Sequence, residues 1–407
     1  MKTFFKLIKR EIGQFFKNPV AVLVFIAAPI IFGLIIGFVY LKADVSELPV
    51  TVIDLDHSVL SSKIIDAIDD NEYAHVTAVY SNAKEARRDF MNGNVEAVIT
   101  IPERFQADVL QKRYPEIQVD LNTANILTGN YLSKAITASV QTINVGVEVE
   151  SLMKKGMPNA IAMSQYESFK INFDKYYNPL ANYLQFLWPG IVCTILQQVL
   201  LLVIALVFSR EFERKTFYGL LRISRSPFLL ICSKIIPYLF LGSILWYGLL
   251  YGMFPFFKIP IHAGFWDLFV FSELFLVCVI FFGIMVSVIF PTQLMSTEIL
   301  MVIASPSFIL SGFTWPLSQM PPFVKLIADV IPLTHFASGF RKLAYMEASL
   351  ADLHSEIIAL SVIALVSALV TWIVLRFKIV AVLKRKKLAK VIFPVYKLRT
   401  KKTKIEE

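Results

Sequence analysis

The residue types most suggestive of chemistry stand together at Asp54, Leu55, Asp56, His57 and Ser58. An Asp-x-Asp pair after a strand is the arrangement of a phosphotransferase nucleophile, and Asp, His and Ser are the components of a hydrolytic triad. A triad needs side chains that converge from separate parts of the fold, which neighbours in one short segment do not do. Ser58 or Asp56 capping a helix that begins near residue 59 is the simpler role, because a short oxygen-bearing side chain accepts from the first free helical N–H groups. A membrane enzyme using Asp54 and Asp56 is therefore the third reading, and no catalytic residue is assigned.

The remaining polar groups suggest contacts rather than catalysis. Arg210, Glu211, Glu213, Arg214, Lys215 and Thr216 form a compact charged segment, either a solvated loop or a segment that engages a partner protein. Gln197, Gln198, Glu273 and Glu298 lie in or near apolar runs, where a polar group faces a partner or a wet cavity. For Glu298 a helix start capped by Ser296 and Thr297 competes with a place on a translocation pathway; for Glu273 the two readings are even. The glutamines suit a pathway or interhelical hydrogen bonds equally. Gly33 and Gly37, and again Gly248 and Gly252, are spaced for close helix approach, within one subunit or across a dimer seam. Cys193, Cys232 and Cys278 all fall in or beside apolar runs, which suggests neither a disulfide framework nor a metal site. No GxxxxGK[ST] sequence occurs, so the chain lacks a phosphate-cradling loop and the expectation is that it holds no cofactor itself.

The elements that carry these residues are dictated by composition. Of 407 residues 56% are hydrophobic and 17% charged, with a mean hydropathy of +0.62. That is more apolar surface than a water-soluble core of this size buries. Apolar runs at 20–40, 183–208, 227–251, 268–290, 299–313 and 357–375 suit helices crossing a bilayer of about 30 Å. The fifth is short and interrupted by Pro306. The first run is too long for a signal-peptide core and lacks a small-residue cleavage site, so an uncleaved anchor is expected.

Charge sets the expected orientation. Segments 1–18, 209–234 and 376–407 hold 23 Lys and Arg against five Glu, a net +18, whereas residues 43–182 hold 12 basic and 19 acidic residues, a net −7. Basic segments beside membrane helices stay cytoplasmic, which predicts six crossings with both termini inside. The basic tail directly follows a membrane helix and so suits anionic lipid rather than nucleic acid.

Before the first crossing, Phe4, Phe5, Ile8, Ile12, Phe15 and Phe16 recur at helical spacing with Lys2, Lys6, Lys9 and Lys17 on other faces, as in a helix lying in the interface. Asn18 and Pro19 end it and start the crossing. Strand patterns at 50–55, 75–79, 95–101 and 116–121 alternate with helix patterns at 59–69, 83–92 and 102–112, the last opened by Pro102, which indicates a small α/β domain. A long helix is expected over 130–155, and an irregular or helical return to the membrane over 157–178. Residues 315–341 hold Pro316, Pro321, Pro322 and Pro332 yet keep helical apolar spacing, which suits short helices dipping into the bilayer.

Three segments resemble the ABC-2 type transporter permease family, in its branch with a large extracytoplasmic insertion. LPVTVIDLDHSVLSSKI at 48–64 is similar to the opening of that external domain. REFERKTFYGLLRISRSPFLLICSKIIPY at 210–238 is similar to the segment coupled to the ATPase, and SGFTWPLSQMPPFVKLIADVIPLTHFASGFRKL at 311–343 resembles the family's fifth-helix end and re-entrant hairpin. The family commonly has Gly where Lys215 stands. The resemblance implies a permease that pairs with a second permease, as a homodimer or with a sister subunit, and with a cytosolic ABC ATPase that carries ATP and Mg. Coupling would then run through Arg210, Glu211, Glu213, Arg214, Lys215 and Thr216.

Together these readings give an α-helical integral membrane protein with six transmembrane helices, a re-entrant hairpin between the fifth and sixth, and an α/β extracytoplasmic domain inserted after the first. The expected parts are an interfacial helix at 1–18, a first crossing at 19–41, the external domain at 42–182, crossings two to six within 183–376, and a basic tail at 377–407. Within them lie a coupling segment at 209–226 and a re-entrant region at 314–343. The expected function is export of a small molecule, drug or lipid-like substrate across the bacterial inner membrane, with a periplasmic adaptor and membrane lipids as further partners. The alternative is a membrane-anchored receptor or scaffold whose external domain binds a ligand or envelope protein without transport.

Overall fold

The computed structural model describes residues 2–42, 45–166, 174–179 and 181–402. The chain begins with α1 (Lys2–Phe16) and α2 (Pro19–Val39). Asn18 separates them: its side-chain oxygen accepts from the Ala21 N–H at 3.3 Å, and Pro19 takes a first-turn position where its missing N–H costs nothing.

The chain divides into two compact units, Lys42–Lys175 and the remainder, Met1–Leu41 with Tyr176–Glu407. The smaller unit runs β1 (Leu48–Asp54), α3 (Val59–Asp69), β2 (Ala74–Tyr80), α4 (Ala83–Met91), β3 (Ala97–Ile101), α5 (Phe105–Leu110), β4 (Gln118–Leu121), α6 (Ile126–Lys154) and α7 (Asn159–Tyr166). Its sheet order is β2-β1-β3-β4, with β1 parallel to β2 and β3, and β4 antiparallel to β3. Alternation along the strands divides the core. Val50, Val52, Ile99 and Ile101 pack with Ile64 and Ile68 of α3, Phe105 of α5 and Leu132 and Ile136 of α6. Ile53 and Val98 point the other way, onto Ala86 of α4. Strands and helices lie close to where periodicity predicts them, with two differences. Pro102 does not open α5: Arg104 has φ 60°, outside the helical range, and the helix starts at Phe105. α6 starts at Ile126, earlier than expected, because Asn125 caps it by accepting from the Leu127 N–H at 3.0 Å. The expected return over 157–178 lies partly outside the described residues.

The larger unit continues with α8 (Tyr183–Glu213), α9 (Phe217–Ile223), α10 (Pro227–Phe256), α11 (Phe265–Ile289), α12 (Gln293–Ala304), α13 (Ser307–Leu310), α14 (Pro322–Asp329), α15 (Pro332–Tyr345) and α16 (His354–Lys402). Among the described residues, five helices are long and apolar enough to cross a membrane: α2, α8, α10, α11 and the stretch Leu350–Lys384 that includes most of α16. The fifth run expected at 299–313 is not one continuous span. α12 has 12 residues, about 18 Å of helix. Pro306 then stands at the N-cap of the short α13, where a proline has no N–H to continue the earlier ladder.

α14 and α15 form a pair bent by 84°. The C-terminal end of α15 is fixed beside the start of α11, where the His262 N–H donates to the Ala344 carbonyl at 2.9 Å. Nearer its N-terminus, Phe336 stacks on Phe275 with 3.9 Å between ring centres. Phe275 lies about 15 Å along α11 from its start at Phe265. Gly339 permits this approach, because a Cβ there would stand 2.3 Å from Cζ of Phe271.

The two glycine pairs part company. A Cβ on Gly37 would lie 2.1 Å from Phe257 and one on Gly33 2.7 Å from Met253, so this face of α2 is packed inside the unit. The Trp188 indole N–H also donates to the Gly33 carbonyl at 2.8 Å. A Cβ on Gly248 or Gly252 would meet nothing within 4 Å, and the close approach expected of these two glycines does not occur among the described residues of this chain.

Candidate functional site

The charged segment at 210–216 is part of a larger cluster, whose centre is on α1. Leu7, Glu11 and Phe15 are the buried residues of that helix, one turn apart on a single stripe. The stripe therefore carries a carboxylate between two apolar side chains. Glu11 is 2% exposed and Lys234 of α10 is 1% exposed. Lys234 Nζ donates to Glu11 Oε2 at 2.7 Å and to the Val207 carbonyl of α8 at 2.9 Å, and the Tyr238 hydroxyl donates to Glu11 Oε1 at 3.1 Å. The ammonium also lies 4.9 Å from the centre of the Phe208 ring.

A second layer ties α1 to the end of α8. Arg210 Nη2 donates to Gln14 Oε1 at 2.7 Å, and its Nη1 to the Gln14 backbone carbonyl at 3.4 Å, one of the carbonyls a helix leaves free in its last turn. Arg210 is also 3.9 Å from Glu11. Glu211, 1% exposed, accepts from Arg10 Nη2 at 2.6 Å, from Gln14 Nε2 at 3.4 Å and from the Thr216 hydroxyl. Three helices are thus joined by charges removed from water. Such a pair is costly to assemble, and removing one partner costs about 3–5 kcal/mol because the other charge is left buried alone.

Residues 211–216 do not form a helix of their own. α8 runs to Glu213, Arg214 caps it, and Lys215 turns the chain with φ 56°. The Thr216 N–H donates to the Glu211 carbonyl at 3.0 Å and the Lys215 N–H to the Phe212 carbonyl at 3.2 Å. This paired closure is a Schellman turn, whose left-handed position favours glycine. Lys215 stands at that position, so the turn is made with a lysine at the strained site. Glu213, Arg214, Lys215 and Thr216 are exposed, and α9 follows at once. Glu213 Oε2 accepts from the Gln293 backbone N–H at 2.8 Å and its side chain at 3.0 Å, which fixes the start of α12 beside the turn.

The other singled-out residues lie elsewhere. Gln197 is fully buried and its Nε2 donates to Ser307 Oγ at 3.3 Å, while Gln198 Nε2 donates to the Ala304 carbonyl at 3.3 Å. Both tie α8 to the α12–α13 junction. Glu273 is half-buried on α11. Glu298 is exposed in the middle of α12, whose cap is Thr292, accepting from the Met295 N–H at 3.3 Å. The capping expected of Ser296 and Thr297 is thereby corrected. In the smaller unit Ser58 caps α3 in a capping box with Ser61, and Asp54 accepts from the Asp56 and His57 N–H groups and from Ser61 Oγ. Asp56 accepts from the Gln106 N–H at 3.0 Å. Both carboxylates are engaged in shaping the loop.

Sequence reasoning does not single out Arg10, Glu11, Gln14, Lys234 and Tyr238 as site residues. Lys234 carries a signal, since it stands well inside the apolar run at 227–251. Glu11 carries a weaker one, a carboxylate on the apolar stripe of a basic helix.

With this geometry in place, comparison with known proteins is decisive. The family model described as ABC-2 family transporter protein matches residues 20–373. The chain belongs to the ABC-2 transporter family. It is 25% identical over 346 residues to the probable multidrug ABC transporter permease YbhS of Escherichia coli (strain K12), covering 82% of this chain and 86% of that protein. The inner membrane transport permease YhhJ of Escherichia coli (strain K12) is 25% identical over 339 residues, covering 81% of this chain and 85% of the relative. The probable multidrug ABC transporter permease YbhR of Escherichia coli (strain K12) is 23% identical, covering 84% of this chain and 90% of its own length. As an ABC-2 permease the chain is the multi-pass membrane subunit and not the ATPase, and the family implies a separate ABC ATPase partner.

Proposed function

We propose that this ABC-2 permease exports a small, drug-like or lipid-like substrate across a bacterial inner membrane, driven by an ATPase docked at the turn between α8 and α9. The observation that carries the reading is the buried cluster of Glu11, Lys234, Arg210 and Glu211 directly behind that turn. A force applied to exposed Arg214, Lys215 or Thr216 reaches three helices through charged contacts that are largely shielded from water. ATP binding would thus bias the helices between two arrangements through differential contacts.

The proposed topology has six crossings with both termini cytoplasmic, the fifth made by α12 and α13 and completed by the re-entrant pair α14 and α15. The Phe336–Phe275 stack inside the bundle supports a hairpin that dips inward and returns. The smaller, acidic unit is the proposed periplasmic domain, a docking place for an adaptor. Exposed Glu298, on an α12 face with exposed Leu294, Met295 and Met301, is proposed to face a second permease and the pathway between them, since lipid does not solvate a carboxylate. ATP and Mg are placed on the partner.

The test is reconstitution of the chain with its ATPase in vesicles. ATP-dependent substrate movement should vanish with an ATPase lacking its phosphate-loop lysine. Glu211→Gln should lower substrate moved per ATP hydrolysed more than it lowers hydrolysis itself. An ATPase that never co-purifies with the chain would count against the proposal.

A further inference from the structure

Arg341 of α15 lies far in sequence from the charged cluster and belongs to a different set of contacts. Its guanidinium stands 3.9 Å from the centre of the Phe313 ring and 5.6 Å from that of Phe186. Its Nη2 donates to the Phe313 backbone carbonyl at 2.8 Å. A guanidinium has five N–H donors in a planar fork and keeps its charge in proteins. Among the described residues that carbonyl is its hydrogen-bond acceptor, and no carboxylate pairs with it.

The neighbouring cation makes the contrast plain. Lys342 Nζ donates to Glu356 Oε1 at 2.7 Å, and Glu356 also accepts from Ser338 at 3.0 Å and Ser355 at 2.7 Å. The nearby carboxylate is therefore already engaged by Lys342 and two hydroxyls. Arg341 is half-buried in an apolar bundle and left without a counter-charge among the described residues. Ring faces attract a cation but do not neutralise it. An ionisable group held in such surroundings calls for a named partner.

The surroundings identify the kind of partner. Phe186 is in the first turn of α8, and its ring is 6.0 Å from that of Tyr183, which in turn is 5.3 Å from Tyr40 at the end of α2. An aromatic collar at helix ends is the arrangement found at the membrane–water interface. A cation with unused donors beside aromatic walls at that depth matches an amphiphile whose head carries acidic oxygens, because the guanidinium fork meets carboxylate or phosphate oxygens two at a time. We propose that Arg341, Phe313 and Phe186 form a binding site for the anionic head group of an amphiphile, a phosphate or a carboxylate. The site stands whether or not the export reading holds.

The purified full-length chain in detergent, with phosphatidylglycerol, phosphatidylcholine and inorganic phosphate as probes, supplies the test. Binding is read by native mass spectrometry and by thermal-shift titration, in about 0.5 M salt to screen the basic tail. Arg341→Met should weaken phosphatidylglycerol binding by about tenfold and leave phosphatidylcholine unchanged, as expected for loss of charged hydrogen bonds. Phe313→Leu should weaken it less, with the charge kept. A preference for phosphatidylglycerol that inorganic phosphate does not disturb supports the amphiphile; ready displacement by inorganic phosphate would identify a free anion as the occupant and overturn the amphiphile as the ligand. Arg341→Lys keeps the charge but loses the fork and should fall between wild type and Arg341→Met. An Arg341→Lys chain that binds phosphatidylglycerol as wild type does overturns the proposal, even where Arg341→Met does not fold.

Discussion

At the residue scale, two side chains show how local rules and their violations translate into measurable effects. Lys234 and Glu11 are both almost fully enclosed, with a 2.7 Å contact between them. Lys234→Met should therefore lower the stability of the detergent-solubilised chain by about 3–5 kcal/mol, because Glu11 is stranded without its charge partner. Pairing that change with Glu11→Leu removes both charges and should recover most of the loss. Thermal unfolding of the two single variants and the double variant forms the cycle, and simple additivity would mean the pair is not coupled. Lys215 breaks a rule in the opposite sense. Its φ of 56° costs an L-residue about 1–2 kcal/mol, whereas glycine adopts it freely and loses about 0.5–1 kcal/mol in chain entropy. Lys215→Gly is expected to raise the melting temperature slightly or leave it unchanged. A fall in ATP-driven transport in that same variant would show that the lysine is kept for its contact with the ATPase rather than for the turn.

At the element scale, packing separates positions that the sequence makes look alike. Gly37 and Gly248 each belong to a Gly-x-x-x-Gly pair, yet a Cβ would meet Phe257 at the first and open space at the second. Gly37→Ala should destabilise the chain and reduce its yield in membranes, while Gly248→Ala should be neutral or stabilise by about 0.5–1 kcal/mol, as for an unobstructed helix position. Comparable losses for both would indicate that α10 is covered by something outside this chain. The same contrast explains what is legible in the sequence. Apolar runs mark α2, α8, α10, α11 and α16, and alternation marks the four strands, because period and length are properties of a segment alone. The cluster around Glu11 is illegible because it depends on which helices meet: Glu11 and Lys234 are 223 positions apart. The end of α12 is misread from sequence for a related reason, since hydropathy continues past Pro306 although the hydrogen-bond ladder does not.

At the scale of the whole molecule, charge asymmetry makes a topological prediction that neither unit reveals by itself. Basic segments flank the helices of the larger unit, while residues 43–182 are net acidic. A bilayer that retains basic loops on its cytoplasmic side would place these two regions on opposite faces. Met91 is 78% exposed in the smaller unit, and Arg225 is exposed between α9 and α10. Each is suitable for replacement by cysteine in a chain whose own thiols stay quiet, because Cys193 and Cys278 are buried and half-buried Cys232 can be changed to Ala. A membrane-impermeant maleimide added to intact spheroplasts should label Met91→Cys and spare Arg225→Cys until the membrane is permeabilised. Labelling of both from the same side would remove the basis for an external domain, and with it the assignment of the α8–α9 turn to the ATPase side. The turn can receive the stroke of a cytosolic motor only if Arg225 faces the cytosol, so the coupling cluster's role and the direction of the first helix stand or fall together.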